Sequence, residues 1–195
     1  EELAAATGLD LPGTDPDRVR RLRETMGRPD APSAGTAYVP VWYYGRLGPF
    51  EELLNQGIEP HCHDGLGPGI ITCYNTNEEL AAATGLDLPG VDHNRVEQLR
   101  RSGAVLPAQC AYYAVVWQDI YYGGRNVALC YDYNDFRSIN FNDIASSIFI
   151  PSGAGASTYF EDINYGGDRR TFTMSIPDLR AYNFNDVISS ARRGY

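Results

Sequence analysis

The chain has 195 residues, enough for two small domains, and carries 25 acidic against 16 basic side chains for a formal charge of -9. That balance, with a sequence pI of ≈ 4.7, opposes phosphate backbones and anionic lipid and favours cations, so nucleic acid is not an expected partner. No apolar run reaches the length of a membrane-spanning helix, so membrane insertion is not expected either.

The chain opens Glu1-Glu2 without a Met, as expected of a processed or excised piece from which a signal peptide could have been removed. Residues 1–13 recur unchanged at 78–90, and the likeness fades by Gly27 and Gly103. Each copy, 1–27 and 78–103, reads as two short helices. In the second copy Asn77 is placed to cap the first helix, Glu78 and Glu79 sit at its positive end, and Gly85 stops it. Asp15 or Asp92 then opens a second helix, whose Val19 and Leu22, or Val96 and Leu99, form one apolar stripe. So small a pair needs neighbouring strands to bury that stripe.

Residues 28–36 read as a linker, 37–45 as a strand, and Phe50–Leu54 as a short helix. A Gly/Pro-rich loop leads to a strand at 69–75, and 103–109 reads as a second linker. The region 1–109 is therefore expected to be a small α+β unit with a repeated two-helix element. Four cysteines fit an oxidising compartment, hence a secreted or cell-surface protein. Their spacing suggests Cys62 with Cys73 and Cys110 with Cys130, other pairings remaining open.

From Cys110 onward the chain is rich in aromatic strands and Gly turns, and it repeats at a period of 43 residues. Trp117-Gln-Asp-Ile-Tyr-Tyr122-Gly-Gly124 matches Phe160-Glu-Asp-Ile-Asn-Tyr165-Gly-Gly167. Asn142-Asp143-Ile144-Ala-Ser146-Ser147 matches Asn185-Asp186-Val187-Ile-Ser189-Ser190. The first signature describes a strand ending in a tight hairpin, where Gly supplies backbone angles closed to other residues. The second describes a turn rich in carboxylate, amide, hydroxyl and carbonyl oxygen. A calcium ion takes six to eight such ligands, so two copies must cooperate. Two motifs, 110–151 and 157–195, in eight short strands predict an all-β two-sheet sandwich for 110–195 beside the α+β region 1–109.

Both signatures, present in both motifs, resemble the βγ-crystallin family, and within it the microbial calcium-binding branch. The resemblance covers about 110–195. It implies a Greek-key sandwich in which each motif contributes strands to both sheets and two calcium ions sit between paired clamps. It also implies a ligand set: the carboxylates of Asp143 and Asp186, the hydroxyls of Ser146 and Ser189, the carbonyls of Ile144 and Val187, and an oxygen from Gln118 or Glu161, often of the backbone. The resemblance also implies that each ion takes its carboxylate from one clamp and its hydroxyl and turn carbonyl from the other, a division less firmly implied than the set itself.

Plainer readings stand beside these. A lone Asn-Asp-x-x-Ser-Ser is a turn bonding its own backbone; its recurrence in register behind the matching hairpins favours calcium. His61-Cys62-His63-Asp64 suggests zinc, but with a single local cysteine the expectation is a disulfide flanked by exposed histidines. The Leu-Pro-Gly turn resembles a helix-hairpin-helix, yet Asp15 or Asp92 follows where a second Gly would be wanted. No nucleophile motif, phosphate loop or paired-histidine helix points to catalysis. The leading expectation is a secreted, non-enzymatic calcium-binding protein. Its rivals are a secreted protease inhibitor or killer-toxin-like protein using residues 57–69 as an exposed loop, and a repeat-built surface or matrix protein.

Overall fold

The computed structural model describes residues 40–44, 46–67, 71–105, 107–108 and 110–194. The first copy of the helical element and the linker at 28–36 lie outside them. The described elements are β1 (Pro40–Tyr43), β2 (Arg46–Pro49), α1 (Phe50–Asn55), β3 (His61–His63), β4 (Ile71–Tyr74), α2 (Asn77–Thr84) and α3 (His93–Ser102). After these come β5 (Ala114–Asp119), β6 (Gly123–Leu129), β7 (Ser147–Phe149), β8 (Ser157–Phe160), β9 (Arg169–Phe172) and β10 (Ser190–Arg193), with four single 3-10 turns between them. The mixture is α+β, as expected.

A seven-stranded sheet runs β2-β1-β4-β3-β6-β5-β7, and a three-stranded sheet runs β10-β8-β9. Six of the eight strands expected after residue 110 are regular. The other two are single bridges, Tyr133 to Ala191 and Ile148 to Ile176, and each carries one motif's chain into the sheet of the other. Between the sheets lies the main core, with Val116, Val127 and Leu129 from one side and Tyr159, Phe172 and Ala191 from the other.

Around β5 and β6 the large sheet is buried on both faces. Along β5, Ala114 and Val116 enter the core between the sheets, whereas Val115 and Trp117 point the other way. There they meet Leu80, Ala81, Leu88, Val96 and Leu99 of α2, α3 and their connection. Val96 and Leu99 thus find the cover that their stripe demanded, and the described residues include three layers: α2 with α3, the large sheet and the small sheet. Helix α2 begins in a full capping box, but the cap is Thr76, whose hydroxyl accepts from Glu79 N–H. Asn77, expected as the cap, is the first helical residue and uses its side-chain oxygen to accept from Asn126 Nδ2 at 2.7 Å. Asp92 caps α3, and Gly85 and Gly103 end the two helices in the left-handed conformation, as read from the sequence.

Both disulfides form in the pairing that spacing suggested, Cys62 with Cys73 and Cys110 with Cys130. The surroundings of Cys62 differ from expectation. His61-Cys62-His63 is strand β3, pairing antiparallel with β4 and parallel with β6. Both histidines are buried, not exposed, because β3 fills the edge of β6 and lies beneath α2. The sheet therefore continues across residue 110, and the carboxylate of Asp64, fully buried, binds three donors beyond that point: Cys130 N–H (2.7 Å), Tyr131 N–H (3.0 Å) and the Tyr133 hydroxyl (2.9 Å).

Candidate metal centre

In each motif the aromatic hairpin bends through two residues with positive φ, Tyr121 and Tyr122 in one and Asn164 and Tyr165 in the other. Such angles are costly for residues with a side chain and persist only where neighbours enforce them. The enforcing group is the last serine of the clamp. The Ser147 hydroxyl accepts from Tyr122 N–H (3.1 Å) and donates to the Asp119 carbonyl (2.7 Å); Ser190 does the same with Tyr165 (3.2 Å) and Asp162 (2.7 Å). Both serines are fully buried. The glycine of the hairpin is required twice over: Gly124 has φ +67, and a Cβ there would lie 2.8 Å from Asp119 Oδ2.

The clamps follow one-turn 3-10 helices capped by Asp135 and Asp178, each also held by its own arginine, Arg137 or Arg180. Asn140 and Asn183 end those turns in the left-handed conformation, and Phe141 and Phe184 anchor the next residues in the core. Asp143 and Asp186 themselves take φ 56 and 54. Their amides reach across: Asp143 N–H donates to the Ile188 carbonyl and Asp186 N–H to the Ala145 carbonyl, both at 3.0 Å.

The side chains cross as well. Ser189 Oγ donates to Asp143 Oδ1 at 2.9 Å, and Ser146 Oγ donates to Asp186 Oδ1 at 3.0 Å. Backbone bonds then place each serine beside one hairpin strand, since Ser146 N–H donates to the Trp117 carbonyl (2.9 Å) and Ser189 N–H to the Phe160 carbonyl (3.0 Å). Ser146 therefore neighbours Gln118, and Ser189 neighbours Glu161. Two groups result: Asp186 and Ser146 beside Gln118, and Asp143 and Ser189 beside Glu161, with Ile144 and Val187 two residues before the respective serines in the chain. The four acidic and amide residues are exposed while both serines are buried, so each group opens to solvent above a fixed floor.

The atoms left over suit a hard cation. The carbonyls of Ile144 and Val187 accept no hydrogen bond from a described residue. The side-chain oxygens of Asn142 and Asn185 are buried without a partner while their amides donate to Asp143 and Asp186. The Gln118 side-chain oxygen accepts from Arg125 Nε at 2.9 Å. Carboxylate, hydroxyl and two carbonyls make about four protein oxygens per group, the remainder of a six-to-eight-oxygen shell falling to water.

The zinc-like run at 61–64 offers no such set. Cys62 is oxidised, and burial lowers the pKa of His61 to about 4 and of His63 to about 3, so both rings are neutral. Asp64 does lie close to Cys110 and Cys130, but those sulfurs form a disulfide and the carboxylate is occupied by its three donors. The sequence reading had missed two things here. One is the locking role of Ser147 and Ser190, whose signal was the invariant last serine in both repeats. The other is Asp64, which carried no periodic signal.

No protein-family model and no curated protein matches the chain. Solved structures of βγ-crystallin domains, microbial ones among them, match about two fifths of it. A βγ-crystallin from Ciona intestinalis is 26% identical, covers 42% of this chain and is itself covered over 98%, with a TM-score of 0.39. A βγ-crystallin from an archaeon is 27% identical over 43% of this chain and 99% of its own, with a TM-score of 0.39. A clostrillin double mutant solved in complex with nickel is 28% identical over 42% of this chain and 97% of its own, with a TM-score of 0.38. The paired clamps of this chain, and not these overall similarities, support the functional reading below.

Proposed function

We propose that the protein is a secreted, non-enzymatic calcium-binding protein whose paired clamps hold two ions that stabilise it. The observation that carries this is the crossing of the clamps, each aspartate sharing a hydrogen bond with the serine of the other motif. Asp186, Ser146 and the carbonyls of Ile144 and Gln118 would hold one ion; Asp143, Ser189 and the carbonyls of Val187 and Glu161 would hold the other. Bound calcium supplies charge neutralisation and electrostatic cross-linking. Without it, two carboxylates and two free turn carbonyls rely on serine hydroxyls and solvent.

The mechanism is linkage. An ion that binds the folded chain alone adds about 2.7 kcal/mol per site at a free concentration a hundredfold above its dissociation constant. Because each site draws ligands from both motifs, the ions tie the two sheets together. Differential scanning calorimetry in excess calcium and in chelator tests the reading. A large calcium-dependent rise in the transition is expected, and an unchanged transition would leave the clamps as hydrogen-bonded turns only.

Two disulfides support an oxidising, extracellular setting. Within the loop 57–69 named for an inhibitor or toxin, Pro60 to Gly65 are buried and pinned by β3 pairing and Asp64, Gly57 and Glu59 are exposed, and 68–69 lie outside the described residues.

A further inference from the structure

Strand β3 runs into a buried turn, His63-Asp64-Gly65, beside β6. The ring of His63 is fully buried there. Its Nδ1 atom accepts from Gly65 N–H at 3.0 Å and lies 3.1 Å from the Tyr112 hydroxyl. A backbone N–H only donates, so Nδ1 carries no proton and the Tyr112 hydroxyl donates to it as well. The ring proton therefore sits on Nε2, 3.5 Å from the Tyr74 hydroxyl. The turn is closed tightly, since a Cβ at Gly65 would lie 2.9 Å from Ala108 Cβ and would also meet the Tyr112 hydroxyl.

Tyr112 belongs to the connection from α3 to β5. The same connection is held by Ala108, whose N–H donates to the Ala83 carbonyl of α2 at 2.8 Å, and by the Cys110–Cys130 disulfide. Tyr112 packs in one apolar cluster with Leu80, Val96 and Leu99 of the helices and with Val115 and Trp117 of β5. The bond from Tyr112 to His63 thus joins the turn to the helical layer.

We propose that this turn is an acid-sensitive latch on the helical layer: a proton taken from water by His63 Nδ1 opens the turn and frees Tyr112. Once protonated, Nδ1 faces Gly65 N–H donor to donor. Tyr112 can rotate its hydroxyl to accept, but Gly65 cannot reverse, so its bond breaks and a buried donor is left without a partner. No charged group offsets the new charge. From β4 the ring meets Tyr74 and Thr72, from β6 Ala128, and from the α3–β5 connection Tyr112. The carboxylates of α2, Glu78 and Glu79, are felt at His61 and not at His63, and that of Asp64 is occupied by Cys130, Tyr131 and Tyr133. Burial holds the His63 ring down at about 3. His61 titrates with the same sign, and Asp64, raised to about 6 by burial, with the opposite one. Both disulfides keep their strands tethered while the layer is loose, so the opening reverses on neutralisation.

Hydrogen exchange of the full chain at pH 6.5 and 4.5, read by peptide and corrected for the intrinsic rate, tests this. Each ring that is neutral only in the closed state favours opening about tenfold per pH unit, and the Asp64 carboxyl offsets one such factor. Protection in peptides spanning 61–67 and 107–114 should fall about a hundredfold, while protection in β8 should change by less than about threefold. His63→Asn, whose amide oxygen can accept from Gly65 N–H without titrating, should hold the fall below about tenfold. Ring nitrogen chemical shifts of the parent chain give a second reading, with His63 Nδ1 remaining a proton-free acceptor at about pH 5 in the folded state. An equal loss of protection in β8, the same loss in His63→Asn, or a His63 ring that titrates near its ordinary value in the folded chain would overturn the latch.

Discussion

The two crystallin-like motifs start from one repeated sequence unit and end in different surroundings. The strands of motif one are apolar on both faces: Ala114-Val-Val-Trp117 in β5, and Val127-Ala-Leu-Cys130 in β6 and the residue after it. The matching residues of motif two mix polar with apolar, Ser157-Thr-Tyr-Phe160 in β8 and Arg170-Thr-Phe172 in β9. Where Val115 meets a helix, the buried Thr158 shares a hydrogen bond with the exposed Thr171. Where β6 takes β3 as a neighbour, β9 is an edge strand bearing Arg169 and Arg170. A continuous apolar run marks strands that are covered on both faces. The clamps, by contrast, are the same in both motifs, because each must serve the other.

Breaking that comparison has its largest expected effect when motif one is stripped of its cover. A fragment of residues 110–195 exposes Tyr112, Val115, Trp117 and Ala128 together with the edge of β6. It should lose on the order of 5 kcal/mol from apolar exposure alone and self-associate or fail to fold, as read by near-UV circular dichroism and light scattering. Next comes Asp64→Leu, which strands three donors in the interior and should cost about 3 kcal/mol or more in urea unfolding.

The clamps sharpen the comparison. Ser146→Arg with Ser189→Arg should abolish calcium binding and the associated gain of about 2.7 kcal/mol per site at a hundredfold excess. Singly, each should remove one ion. Ser146→Ala with Asp186→Asn should be strongly non-additive in a double-mutant cycle for calcium affinity, whereas Ser146→Ala with Asp143→Asn should be close to additive.

Acidification between pH 7 and 5 acts through His61, His63 and Asp64 of the attached region. The folded-state pKa values of His61 and His63 lie below 6.5, at about 4 and about 3, because burial disfavours the charged rings. Their stability is present above pH 6.5 and lost as pH falls toward those values. Asp64 is raised from 3.8 to about 6 by burial, against the pull of its three donors, so its own contribution has the opposite sign, complete below 3.8 and lost as pH rises through 6. Two rings outweigh one carboxyl, and stability in chelator should drop on the order of 2 kcal/mol between pH 7 and 5. Replacing His61 and His63 by Asn should flatten that slope. The smallest effects come from matched swaps: Val115→Thr should cost about 1 kcal/mol or more, while Thr158→Val should stay within about 0.5 kcal/mol.

What the sequence made legible follows from periodicity. The repeated hairpins, the clamps, both disulfides and the apolar stripe of α3 are all local patterns, and the structure has each. Strand β3 was not legible, since three residues centred on an oxidised cysteine have no period to read. Its histidines are buried only because β6 is there to receive them, a contact more than sixty residues away in the chain. The family resemblance implied crossed clamps, but the hydrogen-bonded pairing itself could not be read from the sequence. It depends on which serine lies beside which aspartate across the motif interface, and only the fold decides that.

The most direct test is a calorimetric titration of the intact chain with calcium at neutral pH, beside the Ser146→Ala and Ser189→Ala variants. Two ions per chain for the parent, falling to one in each variant, is the predicted result. No binding by the parent, or loss of both ions on either single substitution with the fold intact, would contradict the account of two crossed and separable sites.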